Sequence, residues 1–425
     1  MKKIKFSLTV LAFAAIMTGC SSDDDLNVEP TASCSDGIQN GTETGVDCGG
    51  SCTPCATTAA KDGVITSQDD PDLDPSDLKG DVTGNVTLDA ATTWTLSGAL
   101  EVKAGATLTI EPGTTILALA GGTNVYIAIE QDALIDAEGT AASPITVTSA
   151  ASNPRSGDWG GLILAGKAPI NSGATAEAEV VGLTYGGTEE DDSSGTLKYV
   201  KVEYTGARIG GEQEFNGITF YGVGSGTVVE NIAILNGDDD GIEWFGGTVS
   251  VKNALVVNAK DDWFDWTEGW AGKENSNFFG VREFGFNDIT EDPRGIEADS
   301  NSSNNDASPR SNPTIDGLTL LHQSTIEMAD MIKIRRGSSV TITNGLIAII
   351  AAEGEDAGSA SDFIDLTDGS GAAAATTSIN VSAFGAADGT DIKNEVGAAI
   401  NVVLGNTGAD ASLFGWTGYS IPSIQ

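Results

Sequence analysis

The chain has 425 residues, a formal net charge of −40 and an apolar fraction of 40%. The acidic excess disfavours nucleic acid as a partner, because phosphate binding requires a basic surface. The apolar fraction argues against a disordered chain, and the 54 glycines suit a fold with many tight turns.

Residues 1–19 have the composition of an export signal. Three lysines in the first five residues precede a mostly apolar run, 6–17, which is too short to cross a membrane as a stable helix. The run ends in the letters MTGC at Cys20, which resemble a lipobox, the cleavage signal of bacterial lipoproteins. This resemblance implies that acylated Cys20 anchors the mature chain to a lipid bilayer. The alternative is an ordinary secretory signal with an incidental cysteine.

The residues after Cys20 read SSDDD. They resemble the surface-export signal of Bacteroidetes lipoproteins, in which acidic residues follow the lipidated cysteine. The resemblance implies a lipid-anchored protein of the outer membrane, exposed at the cell surface, with residues 20–33 as its tether. The alternative is a plain polar tether.

Residues 34–55 form a cysteine-rich segment. In an exported chain, four cysteines this close together predict a disulfide-stapled module, and their spacing leaves all three pairings open. Zinc is the competing interpretation, because two of them have C-x₂-C spacing. The segment resembles small Cys-rich segments of Bacteroidetes surface proteins. An acidic, proline-containing linker is predicted at 56–79. The four cysteines are Cys34, Cys48, Cys52 and Cys55.

Two linked phrases repeat in the second half of the chain. The phrase DDGIEW at 239–244 recurs as DDWFDW at 261–266, and ENIAIL at 230–235 recurs as KNALVV at 252–257. Both offsets are 22 residues, and apolar residues alternate within each phrase. Such a period predicts stacked coils of short strands, that is, a β-solenoid.

Earlier segments specify the kind of solenoid. The segments 94–102, 105–114 and 157–164 resemble phrases of right-handed parallel β-helix proteins of the pectin-lyase-like class. The resemblance implies an all-β fold, a right-handed parallel β-helix over residues 80–425, behind the small disulfide-rich module. Residues 267–313 are expected to leave the coil as a long excursion, and residues 414–416 to plug the open end.

A ladder of acidic residues accompanies the repeat. One aspartate pair lies one period before another, and coils stack about 4.8 Å apart, so matched carboxylates would lie in adjacent coils. Such stacking is costly without a counter-ion, and Ca²⁺, which prefers oxygen ligands, is the natural one. The favoured alternative is that these side chains cap turns. The predicted calcium ligands are Asp238, Asp239, Asp240, Asp261, Asp262 and Asp265.

An aromatic cluster overlaps the ladder. Strict alternation would turn Phe245 and Trp263 outward, where rings beside carboxylates could bind a sugar. Trp270 and Arg282 complete this predicted ligand-binding set. The alternative is that the rings belong to the core.

Catalytic residues cannot be named from the sequence. Pectin-lyase-like enzymes use aspartates with an arginine or lysine base, and the Asp phrases here echo them only in part; the single histidine is His322. We therefore expect a non-catalytic binding or structural role, engaging a glycan or an outer-membrane partner. The alternatives are a calcium-dependent polysaccharide lyase or glycoside hydrolase, and an accessory lipoprotein of an outer-membrane transporter.

Overall fold

The fold is taken from a computed structural model, which describes residues 34–35, 37–44, 46–53, 61–210, 213–351, 355–387 and 391–424. The predictions for residues 1–33, including Cys20, and for Cys55 lie outside these residues. The chain divides into two units, 1–58 and 59–425. Within the described ranges, no helix is long and apolar enough to cross a membrane.

The first unit contains a disulfide between Cys34 and Cys52. Cys48 is disulfide-bonded as well. Carboxylates close the turns between the cysteines: Asp47 accepts from the backbone N–H of Gly37, and Glu43 accepts from that of Asn40. For these three cysteines the disulfide prediction is therefore confirmed.

The second unit is built almost entirely of strands. The first twelve are β1 Val64–Ile65, β2 Leu78–Val82, β3 Val86–Leu88, β4 Thr93–Val102, β5 Thr107–Ile110, β6 Thr115–Ala118, β7 Tyr126–Ile129, β8 Leu134–Glu138, β9 Ile145–Ser149, β10 Leu162–Ala165, β11 Ala176–Glu177 and β12 Thr184–Tyr185. The next nine are β13 Gly195–Glu203, β14 Arg208–Gly210, β15 Gln213–Glu214, β16 Ile218–Tyr221, β17 Val228–Leu235, β18 Ile242–Phe245, β19 Val251–Val257, β20 Phe264–Thr267 and β21 Asn275–Arg282. The last are β22 Arg294–Ala298, β23 Thr314–His322, β24 Glu327–Ile334, β25 Thr341–Ile349, β26 Ser359–Asp365, β27 Ser378–Gly385, β28 Ile392–Lys393 and β29 Ala399–Val402, followed by the 3₁₀ helix η1, Ala411–Thr417.

Twenty-five of these strands join in one parallel system, and only the hairpins β11–β12 and β14–β15 are antiparallel. Sheet I contains β1, β2, the end of β4, β7, β10, β16, β18, β20, β22, β24, β26 and β28. Sheet II begins with β3, β5 and β8, and sheet III begins with the start of β4, β6 and β9. From β13 onward, one long strand per coil passes from sheet II into sheet III: the start of β13 pairs with β8 and its end with β9. The predicted right-handed parallel β-helix is confirmed.

The bends between sheets II and III are made by asparagines with positive φ. Asn231, Asn253 and Asn277 have φ of 58°, 61° and 62°. Asparagine tolerates this left-handed conformation better than other side-chain-bearing residues. The amide of Asn253 also donates to that of Asn231 in the previous coil, at 3.0 Å. The repeated EN and KN phrases therefore mark the bends.

Two expected boundaries are wrong. β1 lies inside the predicted linker and pairs in parallel with β2, so the β-helix begins near Val64 instead of Gly80. The expected excursion 267–313 contains β21 and β22, which continue sheets II, III and I. Only the segments before and after β22, 283–293 and 299–313, leave the coil.

Two outer faces of the β-helix are covered by chain that is not part of the coils. The hairpin β11–β12 covers apolar side chains on sheet I, including Ile163 and Tyr221. The C-terminal segment, with η1, covers apolar side chains on sheet III, and its Phe414 is fully buried there. Residues 414–416 thus pack on a side of the β-helix, and the predicted plug at its open end is wrong.

Candidate functional site

The candidate site lies on the outer side of sheet I. In β18 and β20, Ile242, Trp244, Phe264 and Trp266 are buried inside the coil, so the residues between them point outward. Glu243 pairs in register with Asp265, and Asp265 with Glu297 of β22. Three successive coils therefore present a carboxylate at the same place.

The turns before these strands and two hairpins add further carboxylates. The β11–β12 connection brings Glu179, β15 brings Glu214, and the Gln213 amide joins the hairpins by donating to the Glu179 carbonyl at 2.9 Å. The result is a cavity of about 170 Å³, which we call the acidic cavity. Its lining residues are Glu179, Glu214, Asp239, Asp240, Glu243, Asp261, Asp262, Asp265 and Glu297.

Few of these carboxylates have a cationic partner. Arg208 pairs with Glu214 at 2.6 Å and with Asp239 at 3.1 Å. Glu297 pairs with Arg294 and Arg335. Within the part of the chain that the structure describes, the other six form no ion pair. They are Glu179, Asp240, Glu243, Asp261, Asp262 and Asp265.

Burial and mutual repulsion shift the proton equilibria of this group. Burial, with repulsion from Asp299, raises the pKa of Asp265 to about 8. Burial, with repulsion from Glu214, raises the pKa of Glu179 to about 7. Burial first and neighbouring carboxylates second raise the pKa values of Asp240 and Glu243 well above their usual range. Without a bound cation, the cavity therefore retains protons near neutral pH.

The donor set fits a hard divalent cation. Oxygens of Asp239, Asp240 and Asp261 lie within 4.8 Å of one another, and the same holds for Asp240, Glu243 and Asp265. One buried oxygen of Asp265, Oδ1, has no hydrogen-bond partner. Ca²⁺ takes six to eight such oxygens, so carboxylates that share Asp240 match its preference.

Turn capping and cation binding are compatible at this site. Asp240 Oδ1 accepts from the backbone N–H of Asp262 at 2.9 Å, and Asp262 Oδ1 accepts from that of Arg294 at 2.5 Å. Each carboxylate thus uses one oxygen to link successive coils. Both residues also line the acidic cavity.

The structure brings together five of the six predicted calcium ligands. Asp238 is the exception, because it pairs with Arg208 at 2.9 Å and with Lys260 and does not line the cavity. Glu297 continues the column of Glu243 and Asp265, but inserted residues hide its register in the sequence. Glu179 and Glu214 belong to hairpins that break the repeat, and no sequence pattern identified them.

The prediction that aromatic rings face outward for sugar binding is wrong. Trp263 and Trp270 are fully buried in the core, and Phe245 packs against Tyr185 and Tyr221. Trp263 fits inside because Gly280 leaves room: a Cβ on Gly280 would lie 2.7 Å from the indole ring.

Arg282, the fourth predicted ligand-binding residue, is also fully buried. Its guanidinium lies 5.4 Å from the centre of the Trp263 ring and donates to the carbonyls of Ala259 and Asp261. It therefore supports the turn that carries Asp261 and Asp262 from inside the coil.

Comparison with known proteins gives one result. A family model described as a pectate-lyase-like β-helix domain matches residues 80–417. Neither the curated proteins nor the solved structures contain a match. The matched range includes every residue of the acidic cavity and all strands of the three sheets except β1 and the start of β2. The chain therefore belongs to the family of proteins with a pectate-lyase-like β-helix domain.

Proposed function

We propose that this chain is a lipid-anchored, surface-exposed protein of the outer membrane with a non-catalytic binding role, and that its β-helix holds calcium in the acidic cavity. The observation that carries the cation proposal is the set of six carboxylates that face one cavity without an ion-pair partner among the described residues. The anchoring and location rest on the lipobox-like sequence at Cys20 and the acidic run behind it.

A cation relieves the main electrostatic cost of the site. Carboxylates this close together must take up protons or a counter-ion, because their mutual repulsion is strong where water is excluded. A bound Ca²⁺ would also join separate parts of the chain, since Glu179 and Glu214 come from the hairpins and Asp240 and Asp265 from the coils. We therefore expect calcium to order the hairpins over sheet I.

A polysaccharide lyase or glycoside hydrolase is the second candidate. Family membership favours it, and so do carboxyls such as Asp265 and Glu179, whose raised pKa values suit proton donation near neutral pH. It ranks second because the nearby arginines are engaged. Arg208 and Arg294 each pair with three carboxylates, so neither offers a free guanidinium as a lyase base.

Calorimetric titration of the metal-free protein with CaCl₂ tests the cation proposal. We expect binding by the wild type and at least about a tenfold weaker Kd for the double variant Asp240→Asn/Asp265→Asn. Asp136→Asn is the matched control, because Asp136 is an exposed strand residue outside the cavity. Absence of binding by the wild type, or equal loss in the control, would refute a calcium site here.

Fractionation of cells tests the anchor. The wild type should appear in the outer membrane and be digested by protease added to intact cells. Cys20→Ser should be released in soluble form, because no acyl chain can then be attached. Equal membrane association of both proteins would exclude lipid anchoring at this cysteine. Acidic polysaccharides incubated with the same preparation, with and without calcium, should remain uncut if the role is non-catalytic.

A further inference from the structure

A second, larger concavity crosses three coils of the β-helix. It has a volume of about 750 Å³, shares no lining residue with the acidic cavity, and lies where sheet I turns into sheet II. We call it the axial groove. It is lined by small residues, hydroxyls and charged side chains of both signs, among them Ser225, Val228, Glu230, Thr248 and Lys252.

The positions that line the groove repeat from coil to coil, although the side chains at matched positions differ. Glu230 of β17 pairs in register with Lys252 of β19, and the residues two positions before them, Val228 and Ser250, also line the groove. Ser250 in turn accepts from the backbone N–H of Glu274 in the next coil, at 3.0 Å. Equivalent positions recur about every 4.8 Å along the axis. A linear ligand lying along the axis would therefore meet side chains of the groove at a constant spacing.

Both walls of the groove are fixed by hydrogen bonds. On one side, the Glu190 carbonyl accepts from the Ser225 backbone N–H at 2.9 Å and from the hydroxyls of Ser225 and Thr248. On the other, Lys273 donates to the backbone carbonyl of Asn312 and, at 2.5 Å, to its side-chain oxygen. The groove is therefore preformed, which reduces the entropic cost of binding.

The lining favours an uncharged, hydroxyl-rich ligand. Three glutamates and two lysines face the groove, so it offers acceptors and donors with little net charge of its own. The net charge of −40 opposes a polyanion. Added peptide strands bind along sheet edges, whereas β17, β19 and β21 are paired in succession and leave no edge here. Hydroxyls can both donate to carboxylates and accept from ammonium groups.

We propose that the axial groove binds a linear, uncharged oligosaccharide lying along the axis of the β-helix. This inference rests on the proposed binding role and names its ligand class and its site. The acidic cavity shares no residue with this groove and takes no part in the contact. Glycan binding in the groove is consequently independent of calcium.

The test uses purified full-length protein and four uncharged probes, the hexasaccharides of cellulose, xylan, mannan and laminarin, with hexagalacturonate as the charged comparison. Val228→Trp places a large ring in the groove, because Val228 is 37% exposed there. Val402→Trp is the matched control, at a 48% exposed valine of β29 outside the groove. Affinities are measured by calorimetry in calcium and in EDTA, and thermal unfolding verifies that both variants fold.

We expect at least one uncharged probe to bind, with Val228→Trp weakening Kd at least about tenfold and Val402→Trp changing it less than about twofold. Binding should persist in EDTA. The proposal is overturned if none of the four probes binds, if both variants behave alike, if hexagalacturonate binds best, or if EDTA abolishes binding. Failure of the calcium titration with retained, Val228-sensitive glycan binding would remove the cation proposal and leave this one standing.

Discussion

Asp265 and Asp365 occupy equivalent positions in one column of sheet I, three strands apart, yet their surroundings differ. The column reads Glu243, Asp265, Glu297, Lys333, Asp365 and Lys393. Asp365 pairs with Lys333 at 2.5 Å, whereas Asp265 has carboxylates on both sides. Burial raises the pKa of Asp365, but the hydrogen bonds from Lys333 and Thr367 together outweigh it and lower the pKa. At Asp265, burial raises the pKa to about 8.

The same substitution should therefore have opposite effects at these two positions. In cation-free protein at pH 8.5, Asp265→Asn should raise the free energy of unfolding by about 1 kcal/mol, because it removes a repelled charge. Asp365→Asn should lower it by about 2 kcal/mol, because it leaves Lys333 without its partner. Urea unfolding of the two variants in EDTA measures both effects. Destabilisation by both would contradict the electrostatic account of the cavity.

The pH dependence of stability follows from the same groups. A carboxyl whose pKa is raised by folding stabilises the folded state while protonated, and this contribution is lost as pH rises through the folded-state pKa. The pKa of Asp265 is raised from 3.8 to about 8, and that of Glu179 from 4.5 to about 7. The melting temperature in EDTA should therefore fall between about pH 5 and 8.5. Calcium should flatten this fall, and a profile in EDTA that rises with pH would be the contrary result.

At the level of single residues, the 22-residue offset predicted the part of the acidic cavity that belongs to the repeat. It placed Asp240 near Asp262 because successive coils put equal positions next to each other. Strict alternation failed for Trp263, because this residue precedes β20 in a turn where alternation does not apply. Its ring occupies space left by Gly280. Such a vacancy depends on a residue of another coil, so the local pattern could not reveal it.

The bends are the element most directly specified by the sequence. Asn253 has a φ of 61°, and its side-chain amide donates a hydrogen bond to the side-chain oxygen of Asn231, so both requirements act at one residue. Asn253→Ala should lower the free energy of unfolding by about 2 kcal/mol, about half from backbone strain and half from the lost hydrogen bond.

Asn253→Gly separates the two contributions. Glycine adopts positive φ without strain, so this variant should recover roughly the backbone half of the loss. Chemical denaturation of the three proteins under one condition gives the comparison. If the glycine variant is no more stable than the alanine variant, the bend does not depend on backbone conformation.

Strand boundaries were predictable only where the coils have equal length. Residues 283–293 and 299–313 lengthen the coils on either side of β22, which disrupts the 22-residue offset and made 267–313 resemble one long loop. β1 was missed for a different reason. It has only two residues, Val64 and Ile65, within an acidic stretch, and its place is set by pairing with β2.

At the scale of the whole molecule, the C-terminal segment connects coils that are not neighbours. In a solenoid each coil contacts mainly the next, so stability is largely a sum of local terms. Here the backbone N–H of Thr407 donates a hydrogen bond to Asn344, and that of Ala409 donates one to Thr319. The ring of Trp416 packs on Tyr199. The segment thus runs back along sheet III and couples late coils to early ones.

Phe414 is the main apolar anchor of this segment. Its ring is fully buried among outward-facing side chains of sheet III, including Leu255, and lies 6.2 Å from that of Phe279. Phe414→Ala should lower the free energy of unfolding by about 3 kcal/mol, because it leaves a cavity on an apolar face. The neighbouring Leu413→Ala is the control, since Leu413 is 44% exposed and should change stability little.

Hydrogen exchange distinguishes coupling from a local packing defect. If the segment holds distant coils together, Phe414→Ala should increase amide exchange in the sheet III halves of β17, β19 and β21 and also around Asn344 and Tyr199, which contact other parts of the segment. A local defect would raise exchange only in η1 and the strands beneath it. The first pattern would mean that the C-terminal segment makes two groups of coils unfold as one unit: those that form the acidic cavity and those at the end of the β-helix. The second pattern would mean that the coils unfold independently.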